Sequence, residues 1–191
     1  MKWIARRYLK YLGWEIKGKL PSDAKKYVLI AAPHTSNLDF LIGRAAFYQL
    51  GMKRIRILIK KEMFWFPLGL ILRALGALPV DRSNTVSKVR TIKKYFDRHE
   101  HFVVLFTPEG TRKLTYHWKK GFYHIAQQAE VPILLSYMDY AKKEGGIGPL
   151  ITPSGDFKTD MKTIEEFYKD KSARYPENFN LSPENIGKTH G

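Results

Sequence analysis

The sequence predicts a single-domain α/β sandwich in which a largely parallel central sheet is flanked by helices. Two observations carry this prediction. Short apolar runs alternate along the chain with longer amphipathic segments, an order typical of strands joined by crossover helices. A length of 191 residues with 44% hydrophobic residues is enough for one sizeable core and too short for two. Ligands of such sheets usually bind beyond the carboxyl ends of the strands.

The individual elements follow from the pattern of apolar and polar residues. Strands are predicted at residues 27–32, 54–59, 77–80, 102–106 and 132–137. Helices are predicted at residues 1–16, 38–50, 62–75, from about 85 to 99, and 121–130. Pro67 and Gly69 interrupt the third helix, and Ser83 or Asn84 is expected to cap the fourth.

Three segments differ in composition. Residues 1–26 form a basic amphipathic segment, residues 27–170 hold the alternating elements, and residues 171–191 form a polar tail. The tail is rich in Pro, Asn and Gly and has no periodicity, so we expect it to wrap the surface or to be partly disordered. One domain with two dissimilar ends is therefore predicted.

The predicted first helix has an apolar side and a basic side. The apolar side carries Met1, Ile4, Tyr8, Tyr11, Leu12 and Ile16, and the basic side carries Lys2, Arg6, Arg7 and Lys10. Trp3 and Trp14 lie off the apolar stripe, where an interfacial helix can seat indole rings at the level of lipid headgroups. This pattern predicts contact with a membrane surface; the alternative is that the apolar face simply packs on the domain.

The charge balance narrows the classes of partner. Lys and Arg number 33 against 18 Asp and Glu, a formal net charge of +15, which favours nucleic acid, an anionic membrane or a phosphorylated substrate. The absence of cysteine excludes disulfides and thiolate chemistry and fits an intracellular compartment. No stretch reaches the roughly 18 apolar residues of a membrane-spanning helix, and no signal peptide is visible.

The first chemical motif is the segment at residues 33–39, which follows the first predicted internal strand. His34 is suited to act as a general base at neutral pH. Asp39 lies about one helical turn away, so its carboxylate can reach the second imidazole nitrogen and fix the tautomer. Alone, this spacing is weak evidence for a catalytic pair. A histidine in a turn followed by an acid in the first turn of a helix would give the same sequence pattern.

The second motif, at residues 106–112, follows another predicted strand and makes the first more specific. Gly110 permits a sharp turn, Thr111 offers a hydroxyl, and Arg112 presents a fork suited to phosphate. Glu109 is expected to hold that guanidinium or to bind substrate hydroxyls. The alternative is an ordinary β-turn with an exposed ion pair. Both motifs follow strands, so we expect them to meet at one edge of the sheet.

These two segments resemble the signature of the lysophosphatidate and glycerolphosphate acyltransferase family. Residues 76–82 resemble a third block of the family and imply Arg82 as a second phosphate ligand, and residues 131–133 resemble a fourth, structural block. The resemblance implies the family's fold and an O-acyltransferase, with His34 and Asp39 catalytic and Arg82, Glu109, Gly110, Thr111 and Arg112 binding substrate.

The family also implies the substrates and surroundings of the reaction. The donor would be an acyl thioester, either acyl-CoA or acyl-carrier protein, and the acceptor a lysolipid, foremost 1-acyl-glycerol-3-phosphate. The motif supplies the histidine and aspartate of a catalytic triad without its nucleophilic serine, so the acceptor hydroxyl would attack directly. No metal or organic cofactor is expected. The basic amino terminus implies a cytoplasmic enzyme, peripheral on the inner face of a membrane.

Three departures from the family pattern accompany the resemblance. Pro33 stands where asparagine often precedes the histidine, which removes any role for that amide. Leu135 replaces the proline that commonly closes the fourth block. The membrane-spanning or two-helix amino terminus of many relatives is reduced here to about 20 basic and aromatic residues, which implies a compact enzyme.

Other functions are weaker alternatives. Acylation of a lysolipid without phosphate would use the same site. A nucleic-acid-binding protein would fit the sequence pI of 9.9, but no recognition motif is present and both chemical motifs would go unexplained, so we expect no nucleic-acid partner. An α/β esterase needs a nucleophile elbow, and no Gly-x-Ser-x-Gly occurs.

Overall fold

The fold is known from a computed structural model that describes residues 2–21, 24–52, 54–80 and 85–181, with the backbone alone at 85–87. Within these ranges the strands are β1 Glu15–Lys17, β2 Lys26–Ala32, β3 Ile55–Lys60, β4 Ala77–Val80, β5 Phe102–Phe106, β6 Ile133–Asp139 and β7 Glu144–Ile151. The helices are α1 Lys2–Tyr11, α2 Asn37–Leu50, α3 Leu68–Ala74, α4 Thr85–Arg98, α5 Gly121–Gln128 and α6 Phe157–Tyr168, with short 3-10 turns at Lys61–Met63 and Pro176–Asn178.

The strands form a seven-stranded sheet in the order β1-β7-β6-β2-β5-β3-β4. β2 lies near the centre and pairs in parallel with both β5 and β6. β3 and β4 extend the parallel part, whereas β7 runs antiparallel to β6 and carries β1 at the edge. The predicted α/β architecture with a largely parallel sheet is confirmed.

Helices cover both faces of this sheet. On one face α4, α5 and α6 pack against the strands through a core that includes Ile92, Phe122 and Ile164, all at most 1% exposed. On the other face α2 packs on the sheet through Phe47 and Ile42, and α1 lies against α2. Because the sheet is covered on both faces, its central strands are continuous apolar runs.

The start of α2 is fixed by a capping box. The Ser36 hydroxyl accepts the Leu38 N–H at 3.1 Å, and Asp39, the third helical residue, accepts the Ser36 N–H at 2.8 Å. These bonds satisfy two backbone donors that would otherwise be unpaired at the helix start. At the other end Gly51, with φ +92°, provides the left-handed residue that stops the helix.

The prediction of one helix over residues 1–16 is wrong beyond Tyr11. Residues 15–17 instead form edge strand β1, which pairs with β7. Trp14 is only 8% exposed and packs edge-on against Tyr140, so it is not an interfacial side chain. The edge pairing depends on β7, which the sequence reasoning did not predict; α6 was missed as well.

Helix α1 buries a different strip from its predicted apolar side. Ala5 and Leu9 contact the domain, while Ile4, Tyr8 and Tyr11 are exposed together with Trp3. Tyr11 is 88% exposed and Trp3 67%. The predicted apolar side chains Ile4, Tyr8 and Tyr11 are therefore exposed to solvent and do not pack on the domain. Over the described ranges, no helix combines the length and the apolar character needed to cross a bilayer.

Some predictions fall outside the described residues. Arg82, the proposed second phosphate ligand, and the capping candidates Ser83 and Asn84 lie there. The helix predicted after them is present, and its Val89, Ile92 and Phe96 are buried. The tail is described to Leu181, and within it Ala173 is buried and Phe179 and Leu181 pack against the core.

Candidate active site

The two chemical motifs meet because their strands are neighbours. β2 and β5 run parallel with Ile30 opposite Phe106, so the loops that follow them leave the same edge of the sheet. β6 flanks β2 on its other side, with Tyr137 opposite Ala32. Three loops thus converge at the carboxyl ends of three adjacent strands, where ligands of such sheets usually bind.

His34 and Asp39 form a direct pair at this edge. The imidazole Nδ1 lies 3.3 Å from Asp39 Oδ2, as the sequence spacing predicted. The Asp39 side chain is 1% exposed, whereas the His34 side chain is 22% exposed. The carboxylate is therefore enclosed by protein while the imidazole remains accessible, the arrangement that lets an aspartate orient a histidine for proton transfer.

Asp39 is held by further hydrogen bonds. Its Oδ2 accepts the Thr35 and Ser36 backbone N–H groups, both at 2.8 Å, and its Oδ1 accepts the Tyr140 hydroxyl at 2.5 Å. Burial acts to raise the pKa of Asp39, but the bonds from His34, Tyr140 and Ser36 outweigh it and lower the pKa below its usual value. Asp39 is thus kept as an anion facing the imidazole.

Tyr140 is a residue that sequence reasoning missed. It directly follows β6, its ring packs edge-on against Trp14 at 4.9 Å between centroids, and its N–H donates to the Ser172 carbonyl at 2.8 Å. The signal in the sequence is positional, because Tyr140 directly follows a strand, as the motifs after β2 and β5 do. The strand order that makes β6 their neighbour cannot be read from the sequence.

Glu109 takes a different place from the predicted one. Its side chain is buried, and Oε1 accepts the His34 backbone N–H at 2.8 Å, which ties the second motif to the first. The expectation that it holds Arg112 is not met, because Arg112 is exposed and forms no ion pair with a described carboxylate, whereas binding of substrate hydroxyls stays a prediction. Among the described residues Oε2 has no hydrogen-bond partner. Burial raises the pKa of Glu109 to about 7.

The remaining residues of the second motif form an exposed turn. Gly110 has φ +68°, so the predicted sharp turn is present, and a Cβ there would lie 3.0 Å from the Lys119 side chain. Thr111 Oγ1 accepts the Lys113 N–H at 3.2 Å and so serves the turn itself. Arg112 is exposed. The motif thus divides into a buried half and a solvent-facing half.

A large cavity, called here the main cavity, opens beside the pair. Its volume is about 730 Å³, and both His34 and Asp39 line it. Most other lining side chains are apolar, among them Phe40, Phe47, Leu58, Leu105, Phe122 and Met138. Lys119 and Lys120 also line it, and neither was selected from the sequence. Such a cavity suits a long apolar ligand with one polar end.

A second depression, called here the arginine groove, adjoins the same stretch of chain. It is lined by residues 35–38 together with Arg112, Arg174 and Tyr175. Arg112 therefore faces this groove, next to the main cavity that His34 lines. Two guanidinium groups close to the start of a helix suit an oxyanion such as phosphate.

An oriented His–Asp pair at the carboxyl edge of a largely parallel sheet defines an α/β protein equipped for general-base chemistry. The family model described as Acyltransferase matches residues 14–138, more than half of the chain. The chain belongs to this acyltransferase family, and the resemblance predicted from its four sequence blocks is confirmed.

Characterised relatives agree with that assignment. A 1-acyl-sn-glycerol-3-phosphate acyltransferase from Saccharomyces cerevisiae is 31% identical over 70% of this chain and 47% of its own length. The 1-acyl-sn-glycerol-3-phosphate acyltransferase alpha from Homo sapiens is 29% identical over 72% of this chain and 51% of its own length. The chain spans about half the length of the curated relatives it matches.

A solved structure shares the fold. The 1-acyl-sn-glycerophosphate (LPA) acyltransferase from Thermotoga maritima superposes with a TM-score of 0.59 at 19% identity, covering 88% of this chain and 75% of that one. At this identity the similarity concerns the fold alone. It confirms the predicted family architecture.

Proposed function

We propose that this protein transfers a fatty acyl group from an acyl thioester to the free hydroxyl of a lysophospholipid, foremost 1-acyl-glycerol-3-phosphate, in phospholipid biosynthesis. The observation that carries the proposal is the His34–Asp39 pair lining an apolar cavity next to a groove with two arginines. The family and the activity named for its relatives support the same reaction.

In the proposed mechanism His34 is the general base and Asp39 its positioning group. The Asp39 contact to Nδ1 favours the tautomer whose Nε2 is free to take a proton. As Nε2 removes the hydroxyl proton, the acceptor oxygen bonds to the thioester carbonyl carbon. The tetrahedral intermediate then breaks its carbon–sulfur bond, and the imidazolium returns the proton to the leaving thiolate.

The main cavity is proposed to hold the acyl chain of the donor. Its apolar lining can take up methylenes, each worth about 0.8 kcal/mol on burial. The donor is an acyl-CoA or an acyl-carrier-protein thioester, and either would place its carbonyl beside His34. Arg112, and Arg82 by resemblance, are proposed to bind the acceptor's phosphate.

The assay that tests this function offers the purified protein a labelled acyl thioester together with a panel of lysolipids, with mass spectrometry of the products. We expect diacylglycerol phosphate from lysophosphatidate as the main product. Preference for an uncharged or carboxylate lysolipid would contradict the phosphate assignment and favour acylation of a lysolipid without phosphate. No acylated product from any acceptor, with folded protein and intact thioester, would contradict both.

We further propose that the protein binds the anionic inner face of a membrane peripherally, through α1. The exposed side chains of this helix combine apolar and aromatic groups with cations: Trp3, Ile4, Tyr8 and Tyr11 with Lys2, Arg6, Arg7 and Lys10. The cytoplasmic leaflet attracts such a segment, at about 1 kcal/mol per basic residue near the surface. A second exposed apolar region at residues 63–75 includes Trp65 and Phe66.

Side-chain substitutions test the membrane proposal more cleanly than a deletion. Removing residues 1–16 would also remove Trp14, which packs on Tyr140. We expect a Trp3→Ser, Tyr11→Ser double variant to sediment less with anionic vesicles than wild type, and higher salt to weaken binding of both. Leu114→Ser, at another exposed apolar side chain, is the control. Equal sedimentation of wild type and double variant would show that α1 only caps the domain.

A further inference from the structure

The segment after α6 returns across the candidate active site. Within it, Ser172 accepts the Tyr140 N–H at 2.8 Å, Ala173 is 4% exposed, and the Tyr175 N–H donates to Thr35 Oγ1 at 3.2 Å. Further along, the Trp118 indole donates to the Asn180 carbonyl at 3.0 Å. The segment is thus fixed on both sides of residue 174, and its position does not depend on that side chain.

Arg174 extends from this fixed segment to the beginning of α2. Its Nη1 donates to the Ser36 hydroxyl at 3.4 Å, and its guanidinium lies 5.5 Å from the centre of the Tyr175 ring. The Ser36 hydroxyl takes one of five N–H donors and the Tyr140 hydroxyl also interacts with the guanidinium, so the remaining N–H groups of the fork can bind a ligand. The stacking on Tyr175 limits the positions that the side chain can adopt.

Arg174 and Arg112 face the same groove from distant parts of the chain. The other lining residues are Thr35, Ser36, Asn37, Leu38 and Tyr175, so among the described residues no carboxylate lines the groove. Neither guanidinium forms an ion pair with a described carboxylate. Two cations without a counter-charge among the described residues suit a dianion, and phosphate monoesters carry nearly that charge at neutral pH.

We propose that Arg174 is a phosphate ligand for the acceptor and acts with Arg112 as a specificity-determining residue. The inference rests on the proposed acyl transfer and adds a further cation to Arg112 and Arg82, from a segment outside the four family blocks. Ser36, which Arg174 contacts, is two residues from the base His34. Asp39 Oδ2 accepts the Ser36 N–H at 2.8 Å and lies 3.3 Å from the His34 imidazole, so a phosphate held beside Ser36 lies next to the pair.

The experiment compares Arg174→Ala with wild type on two acceptors, lysophosphatidate and the uncharged monoacylglycerol. Loss of one charge-assisted contact should raise KM for lysophosphatidate roughly 10-fold to 100-fold, with a smaller change in kcat. Transfer to monoacylglycerol should not change. Arg174→Lys should recover part of the affinity, because it restores the charge without the fork.

Controls separate binding from structural support. Arg98→Ala removes an exposed arginine at the end of α4 that lines neither cavity, and it should leave both acceptors unaffected. Glycerol 3-phosphate should inhibit wild type competitively, with a Ki raised at least about 10-fold in Arg174→Ala. This second readout works even where monoacylglycerol is a poor acceptor.

Two results would overturn the role of Arg174 while leaving the proposed acyl transfer intact. One is an unchanged KM for lysophosphatidate and an unchanged Ki in Arg174→Ala. The other is an equal loss of kcat on both acceptors, which would make Arg174 a support for Ser36 and α2. A wild-type protein that acylates no phosphate-bearing lysolipid would instead overturn the proposed acceptor, and this inference with it.

Discussion

The main cavity and the arginine groove lie along neighbouring residues of one loop but differ in chemistry. His34 and Asp39 line the main cavity, where most of the remaining lining is apolar. Thr35 and Ser36 line the groove, where the charged groups are Arg112 and Arg174. The difference suggests a division of labour, in which an acyl chain is held on one side and a phosphate on the other, with the reacting hydroxyl between them.

The largest expected effect is at the junction of the two sites. His34→Ala should lower acyl transfer by about 100-fold to 10,000-fold, because general-base catalysis contributes about that much. The side chain is partly exposed, so the circular dichroism spectrum and melting temperature should barely change. Steady-state transfer to lysophosphatidate and to monoacylglycerol measures the effect, and both rates should fall together. Wild-type rates in the variant would contradict the mechanism.

Asp39→Asn should reduce the rate to a similar extent, because the base loses its orienting anion. Unlike His34, Asp39 also caps α2, since it accepts two backbone N–H groups. This variant should therefore lose about 1 kcal/mol of stability as well. Chemical denaturation alongside the rate assay separates the two contributions. Full stability with full activity in this variant would show that the Asp39 anion neither orients His34 nor stabilises the start of α2.

A smaller effect, on the preferred chain length of the donor, is expected from a substitution that changes only the main cavity. Gly43 lines it, and a Cβ there would lie 3.9 Å from the Met138 side chain, an ordinary contact. Gly43→Phe should occupy volume meant for the acyl chain and favour short-chain over long-chain donors by about 10-fold, since each excluded methylene costs about 0.8 kcal/mol.

Competition between donors of two chain lengths measures this preference. The control Gly43→Ala fits the space and should keep the wild-type preference, while adding about 0.5–1 kcal/mol of helix stability. KM for the acceptor should not change in either variant, because the arginine groove is untouched. Unchanged chain-length preference in Gly43→Phe would place the donor chain elsewhere.

The smallest effect on catalysis is expected at Glu109, which affects stability instead. Its pKa is about 7 in the folded protein against an ordinary 4.5, so the folded state binds a proton more tightly than the unfolded state. Stability should therefore fall as pH rises from about 4.5 to 7 and stay level above that, by about 3 kcal/mol in all.

Glu109→Gln is the variant that isolates this contribution. The amide oxygen can still accept the His34 N–H, while the buried charge is removed. The variant should exceed wild type in stability at pH 8 and match it near pH 4. Denaturation midpoints over this pH range measure the difference, and a constant offset at every pH would contradict it.

Much of the fold and part of the site could be predicted from the sequence. The strand–helix alternation gave the parallel core, and the spacing of His34 and Asp39 correctly predicted their contact. Both follow from local rules, because strand runs and helical turns are set by nearby residues. The burial of the Glu109 side chain against the His34 N–H could not be predicted in this way, because it depends on the packing of β5 beside β2.

The missed residues owe their places to distant contacts. Tyr140 belongs to the site because β6 pairs with β2, and Arg174 because an aperiodic tail bonds back to Thr35 and Tyr140. The edge strand β1 likewise depends on β7, which lies far along the chain. Strand order and return segments of this kind have no local signature, so sequence periodicity could not reveal them.

A crystal structure with bound lysophosphatidate tests the division between the two sites most directly. We expect phosphate oxygens roughly 2.7–2.9 Å from the guanidinium groups of Arg112 and Arg174, with the free hydroxyl within hydrogen-bond reach of His34 Nε2. A phosphate bound in the main cavity beside Lys119 and Lys120, with the arginine groove empty, would contradict it.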